Sequence, residues 1–196
     1  MLKYSYDDSR CYLYYLSKKD MKMKRQIETD RLILKPLSVE DAPAVFEWVS
    51  DPVVNTYMIY KIYDNISDVI KWILSLQEND NNFGIYLKST GRLIGAISIP
   101  FSKKENAYSI GYNMNQNYWN KGFTTEAAKA IIKWAYQELN ARDFVAIYAN
   151  GNRASKKVVE KCGFKYVGPT EYEKYDGSKT FESSLCKLRL NHFQMP

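Results

Sequence analysis

At 196 residues, 45% apolar and 26% charged, the chain has the length of one ordinary domain and enough apolar side chains for a core, which excludes wholesale disorder. No apolar run reaches the ~18 residues of a membrane span: the longest, Leu93 to Phe101, is broken by Gly95, Ser98 and Pro100, and the N-terminus lacks the basic-then-apolar order of a signal peptide, so a cytoplasmic protein away from membranes is expected. Cys11, Cys162 and Cys186 are far apart and odd in number, and His192 is the one histidine; a disulfide framework and a His-rich zinc site are excluded, no metal is expected, and acid–base chemistry falls to carboxylates, hydroxyls or water.

The net charge of +6 is concentrated in residues 1–25, where Lys3, Arg10, Lys18, Lys19, Lys22, Lys24 and Arg25 outweigh Asp7, Asp8 and Asp20. Such a tail suits a nucleic acid or ribosome surface, but a solvated leader is the simpler reading, and no specific nucleic-acid partner is expected. The composition shift near residue 25 divides the chain into an N-terminal extension over 1–24 and a domain over 25–196. In the domain, a strand is expected over 31–35. Ser38, with Asp41 three residues on, opens a helix to about 49. Ser67 opens a second helix with Val69, Ile70, Ile73 and Leu74 on one face. Strands follow over 83–88 and 93–100 about a Thr90-Gly91 turn, then over 108–114. The segment 123–139 reads as an amphipathic helix, with Ala128, Ile131, Ile132, Ala135 and Leu139 at helical spacing. A strand over 144–149, a short helix over 154–162 closed by Gly163, and two strands over 166–175 and 180–190 about Asp176-Gly177 complete the domain. Hairpins in the middle imply antiparallel pairing and the long helix one parallel crossover. The fold class is therefore α/β (α+β), a mixed and mostly antiparallel sheet flanked by helices.

The chemistry is carried by 110–164. A strand ends, a polar loop turns, and a helix begins near Gly122. Unpaired N–H groups and partial positive charge at a helix N-terminus suit a pyrophosphate. Gly122 permits close backbone approach, Lys121 adds charge, and Thr124 and Thr125 add hydroxyl donors. Alone, this pattern is more often a plain loop; it is neither a G-x-G-x-x-G fingerprint nor a Walker loop. Its neighbours decide the reading. Tyr118-Trp119-Asn120-Lys121-Gly122-Phe123-Thr124-Thr125-Glu126-Ala127 resembles the Tyr-Trp-Gly-Lys-Gly-Tyr-Ala-Thr-Glu-Ala signature of the GNAT acetyltransferase superfamily. Asn152-Arg153-Ala154-Ser155 with Glu160-Lys161-Cys162-Gly163-Phe164 resembles its second motif. Thr29-Asp30-Arg31-Leu32-Ile33-Leu34 resembles the opening of the ribosomal-protein-alanine (RimJ/RimL-like) branch. The resemblance spans roughly 27–190.

That resemblance implies an acetyl-CoA-dependent N-acetyltransferase with a splayed pair of parallel strands over 108–114 and 144–149, the pantetheine arm lying between them. Backbone N–H groups around Asn113 and Met114 would hold the arm and the thioester oxygen. The loop Trp119, Asn120, Lys121, Gly122, Phe123, Thr124, Thr125 would bind the pyrophosphate, and Asn152 would contact the arm from the other side. Asn120 stands where the branch has Gly, and Thr124 where it has Ala or Gly. Ser109 replaces a common Glu and supplies no base. Val159 stands where many members carry a tyrosine acid; in this branch a Ser takes that role, here Ser155, with Asn152 as the helix cap and a possible second contributor. Glu173, four residues before Gly177, is the expected base, although Glu171, Glu173 and Tyr175 equally form a solvent-facing stripe and water is an alternative. Trp48, Tyr57 and Tyr60 are candidates to line the acceptor pocket. The acceptor is a primary amine: a protein N-terminus, or a small molecule such as an aminoglycoside, polyamine or amino acid. A non-catalytic acyl-CoA-binding module is the other class, and the assembly is expected to be a monomer or homodimer.

Overall fold

The computed structural model describes residues 26–76 and 81–191. The expected extension over 1–24, Cys11 and His192 lie outside the described residues. Ten strands are described: β1 Ile27–Glu28, β2 Leu32–Lys35, β3 Asn82–Leu87, β4 Leu93–Ser98, β5 Phe101–Ser102, β6 Ala107–Ser109, β7 Gly111–Met114, β8 Asp143–Ala149, β9 Lys165–Glu173 and β10 Thr180–Arg189. The helices are α1 Ala42–Val49, α2 Ile66–Leu76, α3 Phe123–Glu138 and α4 Arg153–Lys161.

The local signals act largely as expected. Ser38 begins the first helical segment, through a 3₁₀ turn over Val39–Asp41 before α1, and its backbone N–H donates to Asp41 Oδ2 (2.8 Å). The cap of α2 is Asn65 rather than Ser67: its Oδ1 accepts from the Asp68 N–H (2.9 Å). Val69 and Ile73 of α2 are buried, but Leu74, expected on the same face, is 48% exposed. On α3, Ala127, Ala128, Ile131, Ile132 and Ala135 all bury into the main core with Leu32, Leu34, Phe83 and Ile85. A second core joins α1 and α2 to β3 and β4, and the fully buried Trp48 lies there. Trp48 is therefore a core residue and not part of an acceptor pocket.

The strand expected over 108–114 is two strands. The first half, β6, runs parallel to β8, pairing Tyr108 with Phe144 and Ser109 with Val145. The Ile110 N–H still reaches Val145 O (3.0 Å). Beyond Ile110 the chain leaves β8, and β7 pairs antiparallel with β4 from Ser98↔Gly111 to Gly95↔Met114. The layout is two five-stranded sheets, β1-β2-β3-β4-β7 and β5-β6-β8-β10-β9, parted along a wedge between β7 and β8. This is the splay that the resemblance implies. The mixed α/β class holds, with one parallel pair among antiparallel ones.

Gly95 lets β4 approach β7 closely on the side of β7 away from the wedge. A Cβ there would lie 2.5 Å from the Asn113 carbonyl oxygen and 3.1 Å from Met114 Cα, both backbone atoms of β7. Neither can move without shifting the strand. Gly95→Ala should therefore cost about 1–3 kcal/mol, as overpacking does. Denaturant unfolding checks this, and a change below about 0.5 kcal/mol, the range of ordinary surface substitutions, would contradict the close approach.

Candidate functional site

A cavity of about 590 Å³ opens along the wedge, within the size range of small-molecule sites. Tyr112, Asn113 and Met114 of β7 form one wall, and Asn152, Ser155 and Val158 of the α4 segment form the facing one. Tyr118, Trp119, Asn120, Gly122 and Phe123 close one end together with Thr124 and Thr125. Val53, Val54, Thr56, Tyr57 and Met58 close the other. Every residue expected at the cofactor site lines this cavity except Lys121, whose ammonium donates to Asn117 O (3.0 Å) and sits 5.3 Å from the Tyr118 ring centroid. Lys121 braces its own loop.

The loop geometry follows from its sequence. Asn115 is buried; its Oδ1 accepts from the Asn117 N–H (3.0 Å) and starts a 3₁₀ turn over Gln116–Tyr118. The Trp119 indole N–H donates back to Met114 O (2.7 Å), folding the loop onto the end of β7. Asn120 has φ +60° and Gly122 φ +81°. Both are left-handed, and Asn tolerates that region better than other non-glycine residues, which explains how Asn120 replaces the family's Gly. The Glu126 N–H donates to Gly122 O (3.0 Å), which leaves the first-turn amides before it without an intrahelical acceptor at the cavity end.

A latch between the first sheet and α3 holds this end. Arg31 Nε donates to Glu126 Oε2 (2.7 Å), Nη1 donates to Lys121 O (3.1 Å), and the guanidinium lies 4.5 Å from the Phe123 ring centroid. The Thr29 hydroxyl (2.5 Å) and the Arg31 N–H (3.0 Å) both donate to Glu126 Oε1. Burial raises the Glu126 carboxyl, but these donors and the Arg31 charge together hold it below its ordinary value. The Thr29-Asp30-Arg31 motif on the first sheet is thereby tied to the Thr-Glu-Ala motif that begins α3.

On α4, Asn152 Oδ1 caps the helix through the Ser155 N–H (3.0 Å), and Ser155 occupies the third helical position as expected. Arg153, Lys157 and Lys161 recur at four-residue spacing and all line the cavity. With the helix N-terminus across from them, they make a cavity suited to a polyanionic ligand. Val159 is 3% exposed and packs in the main core, so no acid stands at that position. Burial pushes the Cys162 thiol up to about 11 against a smaller pull from Lys129, which keeps it protonated and unreactive. Of the proposed acceptor-pocket residues, Tyr57 lines the cavity. Tyr60 instead accepts from Asn113 Nδ2 (2.7 Å), fixing the side chain whose Oδ1 accepts from the Ala96 N–H (3.2 Å). Glu173 is not brought to the site. It is exposed and absent from the cavity lining, while its neighbour Tyr172 faces inward and donates to Tyr57 O (2.7 Å). The period-two alternation of β9 puts Glu171 and Glu173 together on the solvent face.

The family model for the acetyltransferase (GNAT) domain matches residues 31–165. The chain belongs to the GNAT acetyltransferase family. It is 33% identical over 156 residues to the uncharacterized N-acetyltransferase p20 of Bacillus licheniformis, covering 76% of this chain and 88% of that one. The crystal structure of a GNAT-family acetyltransferase from Bacillus anthracis superposes with a TM-score of 0.76 at 26% identity, covering 84% and 98% of the two chains. A putative ribosomal-protein-serine acetyltransferase from Vibrio cholerae shares the fold, with a TM-score of 0.73 at 18% identity over 85% of this chain and 98% of that one. This GNAT protein is thus an acetyl-CoA-dependent N-acetyltransferase, and acetyl-CoA is its cosubstrate. The lining is chemically compatible with that molecule: Arg153, Lys157 and Lys161 with the start of α3 suit phosphates, and β7 and α4 face each other across the cavity. Among the described residues, no helix is long and apolar enough to cross a membrane, and no group of three or more His, Cys, Asp or Glu side chains is placed to hold a metal.

Arg31→Ala should raise KM for acetyl-CoA on the order of tenfold, below the ~10²-fold cost of a full ångström of misplacement, with little change in kcat. Because folding depresses the Glu126 carboxyl, the latch contributes stability above its ordinary value near 4.5 and loses it as pH falls through the lower folded value. Melting curves of Glu126→Gln should therefore differ from the parent at neutral pH and converge with it in acid. Unchanged KM in the first variant, or a pH-independent difference in the second, would contradict the latch.

Proposed function

We propose that the GNAT domain transfers acetyl to the α-amino group of a protein N-terminus, in the manner of the RimJ/RimL-like branch, with Ser155 as the acid. The single observation behind the catalytic assignment is that Ser155 lines the cavity at the first turn of α4, across the slot from β7. The branch reading is supported by the Thr29–Leu34 opening and by the fold shared with the putative ribosomal-protein-serine acetyltransferase of Vibrio cholerae. The competing reading, a small-molecule amine as acceptor, is separated from it by acceptor panel alone.

In this mechanism, backbone N–H groups around Asn113 and Met114 receive the arm and the thioester oxygen. Trp119 to Thr125 receive the pyrophosphate. The amine enters past Tyr57 and attacks the carbonyl carbon. Asn152 sets the backbone of Ser155, and the Ser155 hydroxyl protonates the departing sulfur. Water at the open mouth takes the amine proton, since Glu173 sits on the solvent face of β9. The domain over 25–196 is taken as the catalytic unit, and a monomer suffices for this chemistry.

Ser155→Ala should lower kcat by about 10²-fold, the low end for general acid–base catalysis, while KM for acetyl-CoA stays nearly constant because the lost interaction belongs to the transition state. Steady-state kinetics by thiol release, with N-terminal peptides and small amines as acceptors, measures both. A purely structural Ser155 would instead leave kcat within about threefold and cost about 0.5–1 kcal/mol of stability.

A further inference from the structure

The Ser155 hydroxyl has a neighbour that no family motif assigns. The Tyr112 hydroxyl lies 2.9 Å from Ser155 Oγ and 3.3 Å from Ser155 O, and Tyr112 itself lines the cavity from the opposite wall. We propose that Tyr112 is a positioning residue for acetyl transfer: its hydroxyl donates to Ser155 Oγ, fixes the serine rotamer and leaves the serine's own proton aimed into the cleft.

The direction of this hydrogen bond decides whether Ser155 can act. A serine hydroxyl has one proton. If Ser155 donated to Tyr112, that proton would point away from the sulfur. A phenol is the stronger acid of the two and therefore the better donor, and the contact to Oγ is shorter than the one to the carbonyl. The Ser155 amide is already bound to Asn152 Oδ1 (3.0 Å), so backbone and side chain are each held from one side. Burial pushes the Tyr112 phenol well above its usual value, against a smaller pull from the Ser155 hydrogen bond, so it remains a neutral donor through the working pH range.

The step balances without ionising Tyr112. The amine nitrogen bonds to the acetyl carbon and the carbon–sulfur bond breaks. Sulfur takes the Ser155 proton, and the proton released from the amine nitrogen returns to Ser155 Oγ through water. Tyr112 stabilises the transient charge on Oγ with a hydrogen bond that strengthens as that charge develops. The position was invisible in the sequence because Ile110-Gly111-Tyr112 reads as an ordinary strand; only the wedge brings β7 to face α4.

The inference rests on Ser155 as the acid, and a double-mutant cycle separates the two claims. Tyr112→Phe removes the hydroxyl and keeps the ring. It should lower kcat on the order of tenfold with KM for acetyl-CoA within twofold and a folded, cooperative melt. Tyr112→Phe added to Ser155→Ala should lower kcat no further than Ser155→Ala alone, because the hydrogen bond it removes is already gone. Equal multiplicative losses in the two backgrounds, or a kcat for Tyr112→Phe within twofold of the parent, would overturn the positioning role while leaving Ser155 as the acid. A Ser155→Ala enzyme with parental kcat would overturn both.

Discussion

The structure depends on a break in strand pairing at Ile110. Up to that residue the chain is hydrogen-bonded to β8; after it, the same run of extended backbone is hydrogen-bonded to β4. Unpaired backbone in a protein interior is costly unless something else satisfies it, so a wedge between two strands persists only where each strand has a different partner on its other side. Here β4 holds β7 and β10 holds β8. The facing edges are left to a ligand, and an extended amide-bearing arm is a chemical match for such edges.

The second constraint is where the phosphate end of that ligand must lie. In the proposed binding mode the wedge sets the line of the arm, and α3 begins where that line ends. Residues from three places meet there: Thr29 and Arg31 from the turn between β1 and β2, the Trp119 loop, and Glu126 in the first turn of α3. Arg31 bonds both the helix and the loop carbonyl before it. The helix N-terminus therefore cannot shift relative to the first sheet without breaking several charge-assisted hydrogen bonds. The cations of α4 approach from the other sheet, so binding a polyanion draws charge from both sides of the wedge.

Much of this was legible in the sequence where local rules dominate. The face of α3 follows from Ala128, Ile131, Ile132 and Ala135, and the cap of α4 from Asn152. The loop residues from Trp119 to Thr125 carry a recognisable motif, and all but Lys121 reach the cavity. The rest depends on tertiary placement. Nothing in 108–114 marks Ile110 as the break, because both halves are extended and only their partners differ. Leu74 keeps helical spacing but faces solvent. Lys157 and Lys161 look like an ordinary exposed helix face, and Glu173 satisfies an expected spacing while the pleat of β9 turns it away from the cleft. Of the segment that closes the far end, Tyr57 is a candidate from the sequence, whereas Val53, Val54, Thr56 and Met58 carry no motif and reach the cavity only through the fold.

The central claim is that the wedge between β7 and β8, closed by the start of α3, holds coenzyme A. Thermal melting of the protein with and without free coenzyme A tests it most directly, since no acceptor and no chemistry are needed. At ligand about 100-fold above its dissociation constant, linkage gives about 2.7 kcal/mol, which for a domain of this size is a rise of roughly 5–10 °C, taking 2–4 °C per kcal/mol. An unchanged melting temperature at millimolar coenzyme A would contradict the account.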